Sequence, residues 1–224
     1  MTRYCTADRL TKRTWLIFSA MLIGGGFPSF PARAQTAQEV LDNLRNKYET
    51  IRDARISFTQ RITFAVAKVE QRTAGTLQFK KENKYRVEFE DQTIVTDGET
   101  VWSYSASSNQ VLIDNFTSDE RSLTPERILT GAPSDYAATL LGKEKAGARN
   151  LFLLKLLPKS EQSSIKSMKL WVDDDEWLIR KVEIVDFSGA VTTYSVGDIR
   201  LDPGLQDSLF SYRIPEGASV VDLR

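Results

Sequence analysis

Two hydrophobic periods succeed one another along residues 35–224. In residues 36–48 (TAQEVLDNLRNKY), Val40, Leu41, Leu44 and Tyr48 fall at spacings of one, three and four, which predicts a surface helix with a single apolar face. Thr36 followed three residues later by Glu39 has the form of a capping box. From residue 54 the period drops to two. Ala54, Ile56, Phe58, Gln60, Ile62, Phe64 and Val66 alternate with Arg55, Ser57, Thr59, Arg61, Thr63 and Ala65, a pattern only a strand sorts onto separate faces. Further strands are predicted at 76–79, 85–89, 94–96, 101–104 and 110–113, with Asp97-Gly98 as a turn, so the first half reads as an antiparallel meander.

The alternation breaks at Ser122. Leu123, Ile128 and Leu129, with Pro125 suited to a first helical turn and Gly131 to a stop, predict a second, short helix. Residues 136–141 fit strand or helix, and 143–150 (KEKAGARN) read as an exposed loop. Strands resume at 151–157, 165–172, 177–185 and 191–196, punctuated by Asp173-Asp174-Asp175-Glu176 and by Phe187-Ser188-Gly189. Leu209, Phe210, Tyr212 and Ile214 precede Pro215-Glu216-Gly217, and Val220 and Val221 close the pattern. One domain of about ten or eleven strands with two helical pieces is the simplest account.

That account leaves too much apolar surface. Alternation commits Phe58, Phe64, Leu77, Phe79, Tyr85, Val87, Phe89, Trp102, Tyr104, Met168 and Leu170 to a sheet face, and two short helical pieces are few to cover it. Either the sheet closes around its own side chains as a solid layer, or it encloses an apolar space beneath a helical lid. Periodicity does not separate the two. The charged bend Lys80-Lys81-Glu82-Asn83-Lys84 between two such runs (LQFKKENKYRVEF, residues 77–89) poses the same question.

The first 34 residues change the count of what folds. A basic start (Arg3, Arg9, Lys12, Arg13), the apolar run WLIFSAMLIGGGF and Pro31-Ala32-Arg33-Ala34 carry the marks of a secretory signal cleaved after Ala34. A membrane anchor is the alternative, disfavoured by three glycines and by Pro28 and Pro31. The remaining 190 residues carry 25 basic against 29 acidic side chains, which gives no reason to expect a nucleic-acid partner. The only cysteine, Cys5, precedes the apolar run, so neither a disulfide nor an acylated cysteine follows it.

With no histidine in the chain, triad chemistry and the usual soft metal sites lack their residues. The acidic run 173–176 lacks the alternating ligands and turn glycine of a calcium loop. No catalytic constellation, metal site or cofactor motif is legible, and the expectation is a non-enzyme.

Several segments, in order, are similar to a known family. They are Phe58-Thr59-Gln60 after an amphipathic helix, Gly75-x-Leu77-x-Phe79-Lys80-Lys81, Tyr85-Arg86-Val87-Glu88-Phe89, Asp97-Gly98-x-x-Val101-Trp102-x-Tyr104 and Asn109-Gln110-Val111. In the second half, Phe152-Leu153-Leu154, Leu156-x-Pro158, residues 165–173, Asp186-Phe187-Ser188-Gly189 with Thr192 and Thr193, Phe210 with Tyr212, and Pro215-Glu216-Gly217 agree too. Together they resemble the periplasmic outer-membrane lipoprotein carrier proteins of Gram-negative bacteria, over about residues 38–222.

The resemblance implies a mainly-β fold: a curved, antiparallel, half-open barrel with helices as a lid over a hydrophobic cavity. It implies a soluble, monomeric periplasmic chaperone that takes acylated lipoproteins from an ATP-driven inner-membrane release complex and passes them to an outer-membrane receptor. The face residues above become cavity lining, and Leu41, Leu44, Tyr48, Ile128 and Leu129 become lid residues. In the family the strand matching residues 77–81 ends in Arg-Pro, the arginine tethering the lid through helical carbonyls; here Lys81-Glu82 stands there, so Lys81 is the candidate latch. The rival readings are a periplasmic lipid- or glycolipid-binding or regulatory domain of the same fold, and an extracytoplasmic enzyme.

Overall fold

A computed structural model of the chain describes residues 35–64, 69–117 and 135–224. The predicted signal segment, Val66 and the predicted second helix with Leu123, Pro125, Ile128, Leu129 and Gly131 lie outside the described residues. Helix α1 (Ala37–Thr50) opens the fold with the predicted capping box, Glu39 N donating to Thr36 Oγ1 and Thr36 N to the Glu39 carboxylate. Val40, Leu41, Leu44 and Tyr48 are its buried stripe.

Among the described residues, twelve strands follow in one sheet. They are β1 (Asp53–Phe64), β2 (Val69–Lys80), β3 (Lys84–Glu88), β4 (Gln92–Thr96), β5 (Thr100–Ser105), β6 (Gln110–Asn115), β7 (Tyr136–Ala146), β8 (Arg149–Pro158), β9 (Ile165–Asp173), β10 (Ile179–Asp186), β11 (Val191–Leu201) and β12 (Ser219–Asp222). Their order is β12-β6-β5-β4-β3-β2-β1-β11-β10-β9-β8-β7. Two meanders, β1 to β6 and β7 to β11, are therefore joined where β1 pairs antiparallel with β11. The exception to antiparallel pairing is β12, which lies parallel to β6. No helix among the described residues is long and apolar enough to cross a membrane.

Two sequence expectations need correction. Residues 143–146, expected in a loop, are the exposed end of β7, paired with β8 from Ala146↔Arg149 back to Lys143↔Phe152. Strand β2 begins at Val69, seven residues before its predicted start; Val69–Arg72 is exposed on both faces, so no apolar alternation marks it. Residues around Leu209, given no element by the sequence, form a 3₁₀ turn (Asp207–Phe210) anchored by the buried Phe210.

The core sits between α1 and one half of the sheet. Val40, Leu41, Leu44, Tyr48 and Ile51 pack on Ala54 and Ile56 of β1, Phe152, Leu154 and Leu156 of β8, Met168, Leu170 and Val172 of β9, and Val182 and Ile184 of β10. Full burial of such side chains is worth about 1.5–3 kcal/mol each, so this half carries most of the stability.

Candidate functional site: a half-covered apolar face

Cross-strand register defines which side chains share the face that bears α1. One row reads Ile199, Ile56, Leu77, Val87, Ile94, Ser103; the next reads Leu201, Ala54, Phe79, Tyr85, Thr96, Val101. Ala54 and Ile56 are 0% and 8% exposed under the helix, whereas Leu77, Val87 and Ile94 in the same row are half-buried. The face is continuous and apolar, but among the described residues α1 packs on one half of it.

The half on which α1 does not pack has an aromatic floor. Phe58 packs edge-on against Phe89, with ring centroids 5.6 Å apart, and against Tyr194 at 5.9 Å. Gly75 makes room for it: a Cβ there would stand 2.7 Å from Phe58 Cζ and 2.8 Å from the Glu88 carbonyl oxygen. Gln60 Nε2 donates to the Tyr194 hydroxyl at 2.9 Å, which occupies a polar group on the apolar face. Burial raises the Tyr194 pKa, partly offset by that bond, and also raises that of Tyr85, whose ring lies 6.4 Å from Phe116. An open depression of about 880 Å³ at β11, β1, β2 and the end of β3 is bordered by residues of both faces, Phe58, Gly75, Phe89 and Val196 on one and Ser57, Thr59, Thr76 and Glu88 on the other.

The sequence-selected residues divide three ways. Phe58, Tyr85, Val87 and Phe89 come together on the half-buried part, with Leu77 and Phe79 at the edge of the α1 cluster and Phe64, 38% exposed, at the end of β1. Met168 and Leu170, 1% and 0% exposed, are instead sealed beneath α1 as solid core.

Trp102 and Tyr104 are on the other face. Trp102 pairs with Val95, which pairs with Arg86 and then Gln78, and Tyr104 lies 6.3 Å from Tyr212 of the C-terminal segment. The expected shared parity fails at the 97–100 turn. Asp97 Oδ1 accepts from the N–H groups of Glu99 and Thr100 and sets Val101, not Trp102, opposite Thr96. A one-residue slip in register moves every side chain across the sheet.

Leu41, Leu44 and Tyr48 are buried in α1, and burial holds the Tyr48 hydroxyl well above the ordinary phenol range despite a backbone hydrogen bond at Ile179 and the charge of Arg180. Lys81 is exposed, yet its Nζ donates to the Glu49 carbonyl in the last turn of α1 at 2.8 Å, and its backbone N–H to the Arg52 carbonyl at 3.0 Å. Last-turn carbonyls have no partner within the helix, so a cation there is doubly favoured.

Sequence reasoning passed over Tyr194, Ile94 and Phe116. Tyr194 alternates with Thr192 and Val196, but only the pairing of β11 with β1 brings it beside Phe58.

The acidic run is structural. Asp173 is buried, with its carboxylate 2.6 Å from Arg149 Nη1 and beside Arg180, while Glu176 bonds both arginines. Burial alone would raise the Asp173 pKa; the Arg149 hydrogen bond, the Asp175 N–H and the two cations hold it below the ordinary carboxylate value. Among the described residues no group of three or more His, Cys, Asp or Glu could hold a metal ion.

Among the described residues the fold is a mainly-β sheet with one helix packed on half of one apolar face, the architecture of a lipoprotein-carrier-like domain. Residues 49–213 match the family model "Outer membrane lipoprotein carrier protein LolA", and the chain belongs to that family of periplasmic lipoprotein carriers. It is 27% identical over 192 residues to the outer-membrane lipoprotein carrier protein of Histophilus somni (strain 2336), covering 84% of this chain and 90% of that one. With the carrier of Pasteurella multocida (strain Pm70) it shares 28% over 201 residues, covering 88% and 92%. An uncharacterized conserved protein from Thermus thermophilus has the same fold at a TM-score of 0.57 and 17% identity, covering 83% of this chain and 98% of that one.

Proposed function

We propose that the chain is a soluble periplasmic chaperone that shields the acyl chains of lipoproteins on the uncovered half of the helix-bearing face. In this reading the sheet is a curved half-barrel, α1 is one part of its lid, and Phe58, Leu77, Val87, Phe89 and Ile94 are the surface the acyl chains meet. The cargo comes from an ATP-driven inner-membrane release complex and goes to an outer-membrane acceptor. Residues 1–34 are the signal that directs export.

The carrying observation is the change in burial along a single apolar row, from 8% exposure at Ile56, through Leu77 at the margin of the α1 cluster, to partial burial at Val87 and Ile94, which lie outside that cluster. Each acyl methylene hidden from water contributes about 0.8 kcal/mol, so an anchor of several chains crosses an aqueous compartment only inside such a shield. Release demands a grip without directional polar contacts, which aliphatic and aromatic side chains supply. The Lys81 bond to the Glu49 carbonyl supports a latch role: one flexible donor holds the end of α1 and can let go without breaking the core.

The deciding experiment is purification of the processed chain from a periplasm, followed by mass spectrometry of what it carries. Acylated lipoproteins are expected. A tightly held phospholipid or glycolipid would assign the chain to the lipid-binding alternative, and an empty protein that takes up no lipopeptide would remove the carrier reading.

A further inference from the structure

Strand β2 outruns its neighbour β3. The β2–β3 ladder ends at Thr76↔Glu88, where the Phe89 N–H donates to the Gln92 carbonyl at 2.8 Å and the chain turns away into β4. Beyond that point Val69–Gly75 continues in unbroken register with β1, from Phe58↔Gly75 to Phe64↔Val69, and among the described residues no strand pairs with its other edge. The Lys81 N–H donates to the Arg52 carbonyl, one step along the ladder from Asp53↔Lys80, and bonded pairs alternate along an antiparallel ladder. Odd-numbered residues of β2 therefore turn their N–H and C=O groups toward β1, and even-numbered ones turn theirs away from it. Thr76, Gln78 and Lys80 meet β3 in this way, whereas Glu70, Arg72 and Ala74 are exposed.

Sheets guard a free edge with a bulge, a proline, charge or short length. Among the described residues β7 is also free on one side, but it has a bulge between Leu140 and Gly142 followed by Lys143-Glu144-Lys145, and β12 at the opposite end is four residues long. The overhang of β2 has no bulge and no proline. Its two charges, Glu70 and Arg72, share the face away from α1, where Glu70 lies 3.9 Å from both Arg61 and Arg72.

This open edge begins at the aromatic floor. The depression of about 880 Å³ is bordered by Phe58 and Phe89 and also by Ala74 and Gly75, so it joins the apolar face to the first unpaired backbone groups of the edge. From Gly75 to Val69 the edge extends roughly 20 Å.

We propose that the Val69–Gly75 edge pairs with the extended peptide that follows the acylated residue of a lipoprotein, as an added strand in the place β3 leaves empty. The inference rests on the carrier reading and adds a peptide subsite to it. With acyl chains on Phe58 and Phe89, the attached peptide meets its first free main-chain partners at Ala74, then at Arg72 and Glu70. Main-chain pairing reads no side chain, so an extended segment of almost any sequence fits.

The test compares two probes on the full processed chain: a diacylated cysteine alone, and the same cysteine followed by about eight alternating serine and alanine residues, long enough to reach Glu70. The N–H groups of Glu70, Arg72 and Ala74 are expected to exchange with deuterium at least about tenfold more slowly under the acylated peptide than under the acylated cysteine. Arg72→Pro removes an outward N–H that the β1 ladder does not use, a place where a sheet tolerates proline. It is expected to weaken the acylated peptide at least about tenfold and to leave binding of the acylated cysteine as it was. Arg72→Ala keeps the N–H and is expected to bind the peptide within about threefold of wild type; an equal loss in both variants assigns the effect to the side chain and overturns the proposal. Exchange in the wild-type protein decides the matter should Arg72→Pro not fold. If the two probes bind alike and protect no edge amide, the edge proposal is overturned and the carrier reading stands. Protection of the same amides in the protein alone, with a dimer in light scattering, gives the edge to a second copy and overturns it too. If neither probe binds, the carrier reading fails, and the proposal with it.

Discussion

Lys80 and Lys81 are neighbours in the chain whose ammonium groups fasten opposite sides of one sheet. Lys80 Nζ donates to the Leu205 carbonyl at 3.0 Å and to Asp207 at 2.7 Å, holding the C-terminal segment on the far face. Lys81 Nζ holds the end of α1 on the near face. The β2–β3 bend allows both, because Glu82 and Asn83 adopt positive φ and turn the chain back within three residues.

Lys81→Leu is expected to change stability by less than about 1 kcal/mol, since the bond is solvent-exposed. Its effect belongs in transfer: loading or release of lipoprotein changes, measured between purified donor and acceptor membranes, while Lys81→Arg retains function because guanidinium also donates to a carbonyl. Transfer by Lys81→Leu at the wild-type rate removes the latch.

Gly75→Ala places a methyl group against Phe58 and the Glu88 carbonyl, and the backbone cannot retreat as a side chain end can. We expect a loss of about 1–3 kcal/mol in urea unfolding. Phe58→Leu in the same chain relieves one of the two contacts, so the pair should cost less than the sum of the single changes.

The two halves of the face should respond differently to truncation. Leu170→Ala, in the solid half, is expected to cost about 2–5 kcal/mol. Ile94→Ala, in the bare half, is expected to cost under about 1.5 kcal/mol and to weaken acylated-peptide binding several-fold. Equal destabilisation of both, with binding untouched, would mean the two halves are one ordinary core.

Asp173→Asn leaves Arg149 and Arg180 around a neutral side chain, with an expected loss of about 1–3 kcal/mol at neutral pH, moderated because Arg149 is half in solvent. The folded pKa of Asp173 lies below its unfolded value, so the carboxylate's contribution is complete above about pH 4 and disappears as pH falls through the folded value. Urea midpoints of the variant and wild type are expected to converge in that acid range.

Local chemistry makes α1 and the first meander readable: the Thr36–Glu39 box and the alternation from Ala54 to Phe64 each follow from neighbours in sequence. Where the sheet depends on distant residues, legibility ends. Trp102 and Tyr104 fall on the unexpected face because the Asp97 turn sets a register that alternation within β5 does not carry. Met168 looks the same as Leu77 in sequence; that one lies beneath α1 and the other beside it depends on which strands neighbour the helix. That α1, among the described residues, packs on only half the face is legible only as one of two outcomes, since a count of apolar residues does not say where a helix lands.

The β1–β11 seam has a kinetic consequence. Asp202 must reach back 150 positions to receive the Arg52 N–H, and β1 gains its second partner only when β11 has arrived. Until that late stretch of chain is available, β1, paired only with β2, is an edge strand lined with Phe58, Ile62 and Phe64, and long-range closure of this kind is slow. A newly exported molecule therefore keeps an adhesive edge almost to the end of its assembly, a hazard that the finishing strand must quench.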